Sequence, residues 1–294
     1  MNIFHKFRNN IDGVEIPRRF NNPFYYSPHP LCLVAAEEVR AFLSGDDALL
    51  SEAGKGKMFG VLVVQTPSGE TGYLMAFSGL LFGRNIYDGF VPPVYDMQSP
   101  QGYFKQEEAR ISSINRTVKD IEESADFKSA VEALQALKNE AEKALSETTM
   151  LFKANKEERR KKRESGMLSA EDEAPLTKQS QFEKAELKRM RRNWETRIEE
   201  KAAVVTSFNE RIKALGVERR NRSLALQRWL FEQFVVLNAN GEDKSLLEIF
   251  EEKLSALPPA GAGECAAPKL LQYAYRNSLK PLALAEFWVG ESPV

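Results

Sequence analysis

The sequence predicts an α+β protein: a small mixed sheet domain, split in sequence, with a long antiparallel helical hairpin (a coiled coil) inserted between its halves. Three observations carry this reading. From about Gln106 to Gln233 the 294-residue chain holds one proline, Pro175, and two glycines, Gly166 and Gly216, in a background dense in Glu, Lys, Arg, Ala and Leu. Those residue types favour helix. Short β-rich runs precede that stretch, and further strand and helix signals follow it. Neither end holds enough strands to close a core alone, whereas an antiparallel hairpin returns the chain to its starting point, so both ends can share one sheet.

The elements follow in order. Pro30 to Leu43 reads as helix, with Leu31, Val34, Ala35, Val39 and Phe42 on one side. Met58 to Gln65 and Thr71 to Phe77 read as two strands joined by a turn at Ser68-Gly69. Phe90 to Tyr95 is extended, because the paired prolines Pro92 and Pro93 forbid helix. Ile111, Ile114, Val118, Ile121 and Ala125 then recur at spacings of three and four. After a small phase slip Leu134, Leu137, Ala141, Ala144, Thr148 and Leu151 do the same. Leu187, Met190, Trp194, Ile198, Ala202, Val205, Phe208, Ile212 and Leu215 form the matching stripe of a second arm. Such stripes mean a coiled-coil seam. Gly166 and Pro175 break helix between the arms, placing a tip near 165–177, with Thr177 as the cap of the next helix. Each arm of about 55 residues would span roughly 80 Å at ~1.5 Å per residue. The alternative is one continuous helix in a parallel dimer, which leaves the breakers at the midpoint of the pattern unexplained.

Beyond the arm, Phe234 to Leu237 reads as a strand, Asn240-Gly241 as a turn and Leu246 to Leu254 as a helix. Pro258 to Gly263 is a loop, Ala267 to Tyr275 a helix and Leu282 to Trp288 a strand. Residues 1–105 and 234–294 therefore form the globular domain, and 106–233 the arm.

Composition limits the chemistry. The formal net charge is −1, from 41 basic and 42 acidic residues, which argues against binding nucleic acid by bulk charge. No apolar run reaches the roughly 20 residues of a membrane helix. The start, MNIFHKFRNN, has no signal-peptide core, so a cytoplasmic location without membrane partners is expected. Two cysteines, Cys32 and Cys265, and two histidines, His5 and His29, exclude a disulfide framework and disfavour a self-contained zinc site. No cofactor and no catalytic residue is assigned.

Three constellations remain. Arg159, Arg160, Lys161, Lys162 and Arg163 lie near the end of the first arm, and Lys188, Arg189, Arg191 and Arg192 near the start of the second. A turn near 170–176 would bring the clusters level and make the tip basic on both arms, a surface for RNA phosphates. The bland reading is a solvated coiled-coil face. Second, the glycine-rich Gly261–Lys269 segment opens a helix, an anion-friendly geometry, and puts Cys265 where a thiol pKa is lowered. Its order of strand, Cys-bearing helix and strand also suggests a degenerate zinc deaminase, although Ala267 stands where the catalytic Glu should be. A buried structural cysteine is the plainer reading, with Cys265 only a weak metal candidate. Third, the aromatic and proline-rich segment Phe20 to Pro30, with His29 between two prolines, either packs on the core or lines a cleft.

Several of these segments carry a resemblance. Pro258 to Ala274 (PPAGAGECAAPKLLQYA) with Lys280 to Trp288 (KPLALAEFW) is similar to a block in long bacterial RNA pseudouridine synthases of the RluA type. So are Pro28-His-Pro-Leu-Cys32, Phe59-Gly-Val-Leu-Val-Val64, Gly72 to Gly79, Phe90 to Asp96 and Phe234 to Phe250. The match covers nearly the whole chain and corresponds to the region preceding the catalytic domain. The resemblance implies an RNA-modification protein that acts on ribosomal or transfer RNA, with pseudouridine synthesis (an isomerase reaction) as its activity. Family catalysis rests on an Asp in a His-Arg-Leu-Asp type motif. This sequence has no Arg-Leu-Asp, and neither histidine is followed by Arg. The family's later cysteine pair is also absent. The resemblance thus implies a non-catalytic accessory region, either from a truncated gene or excised, whose partners are structured RNA and a synthase domain in cis or lost. A coiled-coil protein-interaction or dimerisation module is the rival function.

Overall fold

The computed structural model describes residues 3–21, 27–165 and 169–291. The chain divides into two compact units, residues 1–109 with 222–294 and residues 110–221.

The first unit is built on a four-stranded sheet in the order β1-β3-β2-β6. Its strands are β1 (His5–Lys6), β2 (Lys57–Gln65), β3 (Thr71–Phe77) and β6 (Lys280–Val289). β2 pairs with β3 through the short loop that sequence predicts, and Gly69 there takes φ +88°. On its other side β2 pairs with β6, from Lys57↔Val289 to Gln65↔Lys280, so the two ends of the chain do share one sheet. Every ladder of the described strands is antiparallel, where the sequence reading expects a mixed sheet. The five-residue connection between β2 and β3 leaves no room for the crossover that a parallel pair needs.

Helices cover both sheet faces. Phe59, Val61 and Val63 of β2 and Met75 and Phe77 of β3 pack with α1 (Pro30–Ser44) and α2 (Asp47–Gly54). Leu62 and Val64 of β2, Leu74 and Ala76 of β3 and Leu284 of β6 face α7 (Ala266–Arg276), which contributes Ala266, Leu270 and Ala274. Burial on both faces explains why Phe59-Gly-Val-Leu-Val-Val64 is a continuous apolar run rather than an alternating one. Fully burying each such side chain contributes about 1.5–3 kcal/mol. Gly60 sets the approach of α7: a Cβ there would lie 2.7 Å from the Ala266 Cβ and 3.1 Å from a Leu270 methyl.

Local chemistry fixes the helix ends. His29 caps α1, its Nδ1 accepting from the Leu31 N–H at 3.2 Å, with Pro30 at the first helical position. Asp46 caps α2 by accepting from Ala48 and Leu49, a signal present in the sequence but too short to read as a periodic helix. On the outer edge of β6, the Asn21 side-chain amide exchanges two hydrogen bonds with the Leu284 backbone, at 2.8 and 3.1 Å. A second, two-stranded sheet pairs β4 (Val235–Leu237) with β5 (Asp243–Ser245), followed by α6 (Leu246–Leu254) with a Ser245/Glu248 capping box. Phe234, Met97 and Leu246 form a small core beside it.

The second unit is helical. It is formed from α3 (Tyr103–Glu123), α4 (Ala125–Glu164) and α5 (Ala170–Gln233), with α3 and α5 contributing residues to both units. The phase slip is a helix break: Ser124 is extended, at φ −61° and ψ 144°, and its hydroxyl accepts from Phe127 N–H. Packing of Phe127 on Phe208, at 5.5 Å, and the Thr148–Met190 contact show α4 and α5 running antiparallel within one chain. Pro175 does not end a helix, contrary to expectation, but lies inside α5. It lies just past the first turn, and having no N–H it leaves the Glu171 carbonyl without its i→i−4 partner, so the helix forgoes that one bond and continues. Ser169 rather than Thr177 supplies the cap, in reciprocal bonds with Asp172. Gly166 lies outside the described residues. Leu151 leaves the seam and is 58% exposed.

Two glycine substitutions test this packing with opposite signs. Gly60→Ala is expected to destabilise the protein by about 1–3 kcal/mol, because the Ala266 Cβ it meets cannot rotate away. Gly216→Ala, in α5 with nothing within 4 Å of the new Cβ, should stabilise by about 0.5–1 kcal/mol. Denaturant melts read both changes.

Candidate nucleic-acid interface

The basic residues singled out by sequence lie on α4 and α5 but do not act as one patch. The α4 seam continues from Ala141, Ala144 and Thr148 through Phe152 and Asn155 to Arg159. Arg159 is therefore a seam residue, buried to 5% exposure. Its guanidinium forms a bidentate fork with Glu183 of α5, at 2.9 and 2.6 Å. Glu183 also accepts from Asn155 and Gln179. These donors, Arg159 first, hold its carboxyl below the usual carboxylate range.

The register also separates the two clusters. Arg159 faces Glu183, whereas Met190, amid the second cluster, contacts Thr148. The clusters are thus offset along the axis by on the order of 20 Å at ~1.5 Å per residue, instead of lying level. Glu171, Asp172 and Glu173 open α5, and Glu173 reaches the end of the first cluster at Arg163. Lys161, Lys162 and Arg163 close α4, so both sets complement the helix dipoles. Arg163 forks onto Glu173 at 2.7 Å. Arg160 pairs with Glu157 and Glu164, and Arg189 with Glu186. Five of the nine residues remain exposed without an ion pair among the described residues: Lys161, Lys162, Lys188, Arg191 and Arg192.

The glycine-rich segment is occupied from within. Gly261 and Gly263 take positive φ, and a Cβ on Gly263 would lie 2.7 Å from the Phe234 ring. At the start of α7 the Ala266 N–H donates to the Ser78 hydroxyl and the Ala267 N–H to the Glu286 carboxylate, while Pro268 has no N–H. The anion at this helix terminus is therefore the protein's own Glu286. That changes both expectations for Cys265: it is exposed rather than buried, and partial desolvation, followed by the Glu286 carboxylate, raises its thiol pKa rather than lowering it. Among the described residues no three His, Cys, Asp or Glu side chains group so as to hold a metal ion.

Lys269, which sequence reasoning passes over, is the perturbed group here. It is 3% exposed, donates to the Phe77 carbonyl at 2.8 Å and lies over the Phe77 ring at 5.0 Å. Desolvation pulls its pKa down to about 8, against the opposing pull of Glu264. The adjoining cavity is ≈10 Å³, space for a single water and not for a substrate.

Both histidines have structural partners. His5 stacks on Tyr73 at 5.2 Å and bonds the Gly89 carbonyl, and His29 caps α1. Of the Phe20–Pro30 segment, residues 22–26 lie outside the described residues, and Phe20 and Pro28 are exposed. No described helix is long and apolar enough to cross a membrane. Comparison with protein-family models, with curated proteins and with solved structures finds no match.

Two titrations follow. Because the Glu183 pKa is lowered on folding, its contribution is complete above the ordinary glutamate value of ~4.3 and is lost as pH falls through the lowered one. Glu183→Gln should melt lower than wild type at neutral pH, and the gap should close in acid, as followed by circular dichroism. Lys269 has the opposite sign: its folded pKa lies below the unfolded one, so stability rises with pH from about 8 towards ~10.4. Lys269→Met should lack that rise in denaturant melts across the alkaline range.

Proposed function

We propose that this chain is an accessory, RNA-binding region of an RluA-type RNA pseudouridine synthase. In this reading it works in the cytoplasm and does not itself isomerise uridine. The observation that carries the reading is the likeness of Pro258–Ala274 and Lys280–Trp288 to those synthases. The residues concerned build α7 and β6, around which the first unit packs. The lack of an Arg-Leu-Asp motif supports an accessory rather than catalytic role. Lys161, Lys162, Lys188, Arg191 and Arg192 supply free positive charge for phosphates of ribosomal or transfer RNA.

A second reading, a dimerisation or protein-interaction module, is favoured by apolar side chains that the intrachain seam leaves out. Met150 is 68% and Phe182 66% exposed. Sedimentation at micromolar concentration separates the two, since a monomer removes the dimer.

Filter binding of ribosomal and transfer RNA across a salt series tests the first reading. Affinity should fall steeply with salt, and neutralising the five free cations should flatten the log–log slope by just under one for each phosphate left without its cation. A flat salt response, or an unchanged slope in the variant, would rule the reading out.

A further inference from the structure

Between α4 and α5 lies a groove of ≈180 Å³. Arg159 and Glu183 line it, Phe152 and Leu187 add apolar surface, and Lys153, Lys156 and Lys184 stand along it. The charges of Arg159 and Glu183 cancel in their fork. Those of the lysines do not. One helical turn to either side of Lys156 are Phe152 and Arg160, and around Lys184 are Ser180 and Lys188. Neither has a carboxylate at i±4. Lys153 has Glu157 four residues on, but Arg160 holds that carboxylate at 2.6 Å. Three ammonium groups without an ion pair among the described residues therefore converge on one groove with a half-buried aromatic ring and the Ser180 hydroxyl.

The groove is smaller than the roughly 300–1,000 Å³ of a small-molecule pocket. Its shape and charge suit a polyanion passing across it. The nearby guanidiniums of Arg159 and Arg160, which would recognise protein carboxylates as bidentate forks, are occupied by Glu183 and Glu157. Lysines act instead as point charges on phosphate, and an aromatic face beside them suits an unstacked base. We infer that this groove seats the RNA backbone, with Lys153, Lys156 and Lys184 on successive phosphates and Phe152 beside a base. The inference rests on the RNA-binding reading above and adds a seat away from the tip. Lys188, one turn from Lys184, continues the track toward the exposed Arg191 and Arg192.

The test uses the full chain and a synthetic RNA hairpin with a single-stranded loop, read by filter binding over a salt series. The Lys153→Gln/Lys156→Gln/Lys184→Gln chain should bind roughly tenfold or more weakly, with the salt slope flattened by about two to three. Lys156→Gln and Lys184→Gln alone should each flatten it by just under one, which keeps the test independent of how the triple variant folds. Lys138→Gln/Lys143→Gln, elsewhere on α4, should bind like wild type. If wild type binds the hairpin and the groove variants bind equally well, the seat is wrong while the RNA reading stands. An equal loss in the Lys138/Lys143 chain overturns the seat as well, since bulk charge then explains binding. If poly-glutamate displaces the RNA as well as unlabelled hairpin does, the groove is a site for acidic protein. No binding by wild type removes the functional reading itself.

Discussion

The pairing of β2 with β6 is the constraint on which the rest of the first unit depends. It joins residues 57–65 to 280–289. Without it β2 would have β3 on one side only, α7 would lose the Leu284 part of the face it covers, and α1 and α2 would lose Leu282 and Ala283 from theirs. Such a long-range closure is tolerable because loop entropy grows only with the logarithm of loop length, about 0.6 kcal/mol per doubling. The helices shorten the effective loop further. Glu107 and Arg222, separated by 115 positions in sequence, form an ion pair at 3.3 Å, and Tyr103 packs on Trp229 at 4.5 Å. The ends of the inserted segment are thereby held together, and the strands on either side of it start as neighbours.

The helical unit is organised by an opposite device, a polar group where the pattern asks for an apolar one. The Arg159–Glu183 fork, with Asn155, occupies seam positions, and the exposed Gln179 adds a bond from the flank. A buried ion pair gives little net stability compared with an apolar pair of the same volume, because both charges must be desolvated. What it supplies is register. Sliding α5 by one turn would leave two buried charges without partners, whereas alanines, leucines and threonines would tolerate the slip.

How much of this is legible in the sequence differs by element. β2, β3, α1, α6, α7 and β6 are readable because their periodicity or apolar runs are long, and the hairpin because Gly and Pro cluster near its midpoint. α2, β1 and β5 are not, since eight, two and three residues carry too little pattern. Arg159 misleads for a physical reason. A charged residue on a seam looks in sequence like the end of the seam, and its partner Glu183 sits on another helix at a register that spacing alone does not fix. Pro175 misleads similarly, as a helix breaker placed near the start of a long helix, where the loss of one backbone bond is borne by the turns that follow. Lys269 is hidden because nothing local marks a lysine that is buried by strands distant in sequence.

Asn21 has a consequence for the behaviour of the protein in concentrated solution. Among the described strands β6 is an edge strand, ten residues long and rich in leucine and alanine, of the kind that recruits strands from neighbouring molecules into growing aggregates. The Asn21 amide fills the hydrogen-bonding position at Leu284, near the middle of that edge, in the manner of a peptide unit. An incoming strand would have to displace it before it could pair along the full length. One side chain, supplied from the other end of the sequence, thus guards the sheet against polymerisation.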